Sequence, residues 1–226
     1  MALRYPTAYP ERINHHVPSL AYAADVIHNA PNRFDFGAVT ALDDDGLVAS
    51  NALVSGATKT FTLLTNTNGV SRTVARWGRC VSITSDAACT RVVTVKGRDY
   101  LGQRMSETIT FAGAAKVLGK KAFYFVDEIS VSSEANTPNV KMGWDDILGL
   151  PYKARQMLFE QKNGVVAANA GTFVAGLATG TAATISNADV RGTYRPVTVV
   201  PDAANTFSLL LSLDEENLHG NTQFFA

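Results

Sequence analysis

The sequence predicts an all-β protein, with a β-sandwich or jelly-roll-like core over residues 46–226 and an extended N-terminal arm over residues 1–45. Three observations predict this. Short runs rich in Val, Ile, Thr and Phe recur from residue 58 onward, clusters of Gly, Asn, Asp and Ser separate them, and several runs alternate apolar with polar side chains. β-Branched and aromatic residues suit a pleated, half-buried surface, and the intervening clusters supply turns.

The arm is marked by Pro6, Pro10, Pro18 and Pro31, with Tyr5, Tyr9 and Tyr22 interleaved among them. Proline fixes φ and biases the residue before it toward extended geometry. The arm therefore has room for at most one short helix, over SLAYAADVIHNA (19–30) with Ser19 as its N-cap. Such a segment buries little by itself and is expected to lie on its own core or on a neighbouring subunit. Tyr5, Tyr9, Pro10 and Tyr22 are the candidate interface residues, because an aromatic side chain brings contact area at small entropic cost.

In the core, TKTFTLLT (58–65), RCVSIT (79–84), TRVVTV (90–95), SETITF (106–111) and EISVSS (128–133) read as strands. Val93 and Val95 alternate with Thr94 and Lys96, and Ile109 and Phe111 alternate with Thr108 and Thr110, so one face of each strand is expected inside. GTFVAG, TAATISNA, RPVTVV and TFSLLLSL continue the pattern toward residue 213. PYKARQMLFEQKNG (151–164) fits a short helix, through Pro151 at a first helical position and a closing Gly164, and fits a strand equally well. LDDDG (42–46) and WDD (144–146) read as turns.

A chain of 226 residues can bury one sizeable core, and its 46% hydrophobic content is that of a globular protein. Twenty basic against twenty acidic side chains argue against a nucleic-acid partner bound through an overall positive field. The first residues carry no apolar stretch of a secretory signal, and no run approaches the roughly 18 apolar residues of a membrane span. The expectation is therefore no membrane association and assembly in a reducing cytoplasm, with Cys80 and Cys89 as thiols. The alternative for them is a disulfide across a hairpin turning at residues 84–86.

The stretch GRDYLGQRMSETITFAG (97–113) invites a search for chemistry. It lacks the spacing of a phosphate-binding loop, and a strand rather than a helix follows Gly102, so Gly97 and Gly102 are read as turn glycines. Glu107 stands where an apolar residue is expected. It is either a buried acid or a charge at an edge or contact, and no second acid at a defined spacing makes it catalytic. His15, His16, His28 and His219 form no metal-ligand pattern, and the consecutive aspartates of LDDDG depart from the alternating ligands of a calcium loop. The expectation is no enzyme activity, no cofactor and no metal.

Residues in this order resemble a pattern found in small structural proteins of tailed bacteriophages. There, a strand leads into a G-x-D-x-x-G-x-x-x-x-E-x-[IL] hairpin, here 97–109, followed by a GKKAF segment at 119–123 and a stretch ending in GLP at 149–151. GTFVAG (171–176), DVRGTYRPV (189–197) and DEENLHGNTQF (214–224) resemble the later part of the same proteins. The resemblance implies a virion component, and among these a capsid decoration (cement) protein. Such a protein would bridge the major capsid protein on the head surface as a homo-oligomer, dimer or trimer. It also leaves room for a head–tail joining or tail protein. A carbohydrate-binding receptor module remains a third possibility from the β-rich fold alone.

Overall fold

The computed structural model describes residues 31–64, 71–72 and 75–226. Among them the chain forms β1 (Asn32–Ala38), β2 (Asp43–Ala52), β3 (Lys59–Thr60), β4 (Ser71–Arg72), β5 (Arg79–Ser85), β6 (Val92–Arg98), β7 (Arg104–Thr110) and β8 (Val117–Phe123). It continues with β9 (Phe125–Val131), β10 (Asn139–Gly149), β11 (Ala154–Lys162), β12 (Val165–Val166), β13 (Thr172–Ala175), β14 (Gly192–Arg195), β15 (Thr206–Leu213) and a 3-10 turn at Glu215–Asn217. The fold is all-β.

The strands pair antiparallel in three sheets: β1-β15-β11-β12; β13-β14-β10-β5-β8 with β2 on β10; and β3-β9-β6-β7 with β4 on β9. The second and third sheets face each other across one core. Val81, Ile83, Met142 and Trp144 come from one side, and Val93, Val95, Met105, Ile109, Ile129 and Val131 from the other. A second core lies under the first sheet, where Phe36, Phe207, Leu209 and Leu211 pack on Leu148, Leu150 and Tyr194. The ring of Phe36 sits edge-on to Trp77 at 4.9 Å between centroids, an arrangement that suits the ring quadrupoles.

Strand β10 links the two cores. Its residues Val140, Met142 and Trp144 serve the first, and Leu148 serves the second. Between them the register with β5 shifts from Trp144↔Val81 to Leu148↔Arg79, and Asp145 and Asp146 lie buried in the irregularity. Gly143 lets β2 cross β10 closely, since a Cβ there would stand 1.8 Å from the Asp43 carbonyl oxygen.

Several expectations are corrected. Residues 32–45, grouped above with the arm, hold β1 and the start of β2; β1 is hydrogen-bonded to β15, because Phe34 and Phe36 carry it onto the second core. Tyr5, Tyr9, Pro10 and Tyr22, the proposed helix over 19–30, and His15, His16 and His28 lie outside the described residues. The strands β5 and β6 belong to different sheets, so no hairpin joins Cys80 to Cys89, and both are buried free thiols. WDD (144–146) is inside β10 rather than a turn, and most of LDDDG opens β2. The ambiguous 151–164 stretch becomes β11, paired with β15 along Met157↔Leu211 and Phe159↔Leu210. Among the described residues 58–64 of the 58–65 run, only Lys59–Thr60 is a strand, RPVTVV contributes only Arg195 to one, and TAATISNA contributes none.

Candidate functional site

The motif stretches singled out in the sequence meet along one buried seam, where the free edges of two sheets come side by side. Strand β7 ends the third sheet and β8 ends the second. No backbone ladder joins them. An exposed strand edge presents unpaired N–H and C=O groups, and burying these without partners would be costly.

Glu107 on β7 closes the gap. Its carboxylate accepts the Lys120 N–H at 2.5 Å and the Lys121 N–H at 3.3 Å. The two donors can converge because β8 bulges here: Cys80 pairs with Ala122 but Ser82 with Leu118. Gly119 leaves the room, since a Cβ at that position would lie 2.8 Å from the carboxylate. Glu107 is 1% exposed. Burial raises its pKa to about 7 against the opposing pull of the two backbone N–H groups and the Lys121 charge.

The Lys121 ammonium donates to the Ser106 carbonyl at 2.9 Å and the Thr184 carbonyl at 2.5 Å, and burial lowers its pKa. Asp189 takes up the next donor of β8, the Ala122 N–H, at 3.1 Å. Its other oxygen accepts the Arg191 and Gly192 N–H groups. On the β7 side, the Ser106 N–H donates to the Phe224 carbonyl at 2.8 Å and the Thr108 N–H to the Ile185 carbonyl at 3.0 Å.

At the end of the seam lies the β6–β7 turn. One oxygen of Asp99 accepts the N–H groups of Leu101 and Gln103, both at 2.9 Å, the local capping that makes aspartate a turn residue. Its other oxygen receives the Arg191 guanidinium at 2.9 Å and the Gln223 amide at 3.3 Å. Arg191 also donates to the Leu150 carbonyl and stacks over the Tyr100 ring at 4.9 Å, while the Tyr100 hydroxyl donates to the Pro151 carbonyl. The hairpin, the GKKAF segment, the GLP stretch, DVRG and TQF therefore converge on each other.

Gly102 has φ +81 and is a turn glycine as expected. Gly97 is not: a Cβ there would stand 2.1 Å from the Phe125 carbonyl, where the β6–β9 register shifts. Three further buried clusters fix other loops. Arg79 pairs with Asp146 at 3.0 Å and reaches the Thr40 and Ala41 carbonyls. Arg91 donates only to backbone carbonyls, those of Val54, Ser132, Glu134 and Asn136. Glu160 accepts the Tyr194 hydroxyl at 2.5 Å and pairs with Lys162 at 3.2 Å.

Chemically, the seam is built to hold. Both Glu107 oxygens are occupied by backbone donors. Among the described residues no group of three His, Cys, Asp or Glu side chains could hold a metal ion. Asp44 of the LDDDG run is instead paired with Lys116 at 2.6 Å, which with Lys141 holds its pKa below the usual carboxylate value. His219 is exposed and packs beside Tyr152.

Sequence reasoning found Asp99's turn and left Glu107 open. It missed Lys121, Asp189 and Arg191 as partners, because nothing local marks a contact made from so far along the chain. Comparison with protein-family models, with curated proteins and with solved structures gave no match.

Proposed function

We propose that this chain is a non-enzymatic virion structural protein of a tailed bacteriophage, a capsid decoration protein that binds the major capsid protein on the head surface and stabilises the shell. The observation that carries the reading is the convergence of the motif residues. Gly97, Asp99, Gly102, Glu107, Lys121, Leu150, Pro151, Asp189 and Arg191 all spend their backbone or side-chain groups on the scaffold. The features behind the phage resemblance thus tie the β7 and β8 edges into one scaffold, a property that suits a shell component. Covering those two edges also keeps crowded copies from pairing strands there.

Contact surface is available elsewhere. Phe159 is 40% exposed on the outward side of the first sheet, beside Leu158, and Val165 and Val166 are 69% and 58% exposed at its edge. Apolar side chains of this kind suit a protein partner or a second copy. In this reading the protein is assembled in the host cytoplasm and resides on the virion surface.

The test is co-sedimentation of the purified chain with phage heads from which it has been removed or omitted. Saturable binding, with heads that then resist higher temperature, is expected. Failure of the chain to sediment with heads would overturn the reading.

A further inference from the structure

We propose that β7 is a strand-acceptor edge, and that the segment 221–226 is exchanged between copies of this chain so that each copy closes its neighbour's seam. The inference stands independently of the virion reading and would hold for any oligomer of this protein.

On its β6 side, β7 is paired throughout, from Arg104↔Arg98 to Thr110↔Val92. Its other side receives the segment 221–226 as a recognised ligand. Ser106 donates to the Phe224 carbonyl, and the Ser106 hydroxyl meets the Ala226 N–H at 3.2 Å. The Gln223 amide reaches buried Asp99 at 3.3 Å. The Phe224 ring faces the Lys121 ammonium at 5.9 Å, and the Phe225 ring faces the Arg104 guanidinium at 4.5 Å and the Lys96 ammonium at 5.9 Å. Each residue from Gln223 onward therefore has a dedicated partner, which is how strand addition combines main-chain affinity with side-chain specificity.

Behind the segment, the Leu218 carbonyl accepts the Lys153 N–H at 2.7 Å and the Asn217 carbonyl accepts the Gly220 N–H at 2.9 Å. Gly220 turns the chain with φ +72, in a place where a Cβ would lie 2.3 Å from the Val190 carbonyl. Asn221 adds hydrogen bonds to the Ala178 and Thr181 carbonyls. An open groove of about 700 Å³, lined by residues 180–183 and 220–225 among others, runs beside the segment. Rotation at Gly220 would free 221–226 without unpacking either core. The occupant that fits the vacated edge is the same segment of a second copy, since the partners of Gln223, Phe224 and Phe225 are already in place; exchange of an identical element is a low-cost route to oligomers.

The experiment mixes an epitope-tagged Arg104→Cys chain with an untagged Phe225→Cys chain, over a range of concentrations, and treats them with a short bifunctional thiol reagent. Cys80 and Cys89 are buried and do not compete. Exchange predicts a cross-linked dimer carrying one copy of each chain. The dimer should rise with concentration and be lost when a synthetic peptide of residues 219–226 is added in excess. Absence of the mixed dimer at every concentration overturns the proposal, and so does a mixed dimer that the peptide leaves unchanged.

Discussion

Asp99 and Arg191 form an ion pair of 2.9 Å between side chains that are 0% and 1% exposed. The same aspartate caps its own turn, so one residue fixes a hairpin locally and ties it to a segment far along the chain. Removing one partner of such a pair leaves a buried charge alone, which typically costs about 3–5 kcal/mol. Arg191→Met should therefore destabilise the protein by that order in urea unfolding. Adding Asp99→Asn should recover part of the loss, because asparagine keeps the acceptor for Leu101 and Gln103 while removing the stranded charge. A double variant no more stable than Arg191→Met alone would show that the pair is not the source of the effect.

Glu107 gives stability a defined pH dependence. Its folded pKa, about 7, is raised above the ordinary value of 4.5, so the folded state binds this proton more tightly than the unfolded chain does. The contribution is fully present below pH 4.5 and is lost as pH rises through 7. At about 1.4 kcal/mol per pKa unit, the loss attributable to Glu107 between roughly pH 5.5 and 8.5 is about 2 kcal/mol. Urea unfolding at the two pH values should show this difference for the native sequence, and Glu107→Gln should flatten it. An unchanged pH difference in the variant would remove Glu107 as its cause.

Two glycine substitutions separate steric from conformational demands. A Cβ at Gly143 would meet the Asp43 carbonyl at 1.8 Å, so Gly143→Ala must push β2 from β10 and should prevent stable folding or lower the melting temperature steeply. Gly102 has φ +81 with nothing within 4 Å of an added Cβ, so Gly102→Ala should cost only the backbone strain, on the order of 1 kcal/mol. Thermal melts of the two variants should differ in that order.

The thiols should be silent in the native protein. Burial first, with the nearby Glu107 charge, pushes the Cys80 thiol well above its ordinary pKa, and Cys89 is 1% exposed. The thiolate is the reactive form, so a thiol reagent at pH 8 should label neither cysteine until denaturant is added and then label both. Rapid native labelling of either one would contradict the packing.

The legible and illegible parts of the sequence differ in where their determinants lie. Strands β6 and β7 could be read because Val93, Val95 and Ile109 alternate with polar neighbours, and the turn between them because Asp99 caps it locally. Strand β10 could not, since Asp145 and Asp146 resemble turn residues; Lys116, which lies 2.7 Å from Asp145, and Arg79, paired with Asp146, make them tolerable inside a strand. Strand β8 was hidden by Gly119, Lys120 and Lys121, whose roles depend on Glu107. The 151–164 stretch carried helix and strand signals alike, and its pairing with β15 decided between them. The seam was half visible for the same reason: its residues stood out as motifs, while the partners that give them meaning are tertiary.

The most direct measurement of the central claim is the number of copies of this chain in purified virions, read from a stained gel against the major capsid protein. A decoration protein predicts a copy number comparable to that of the major capsid protein. A single ring's worth of copies, or none, would contradict it.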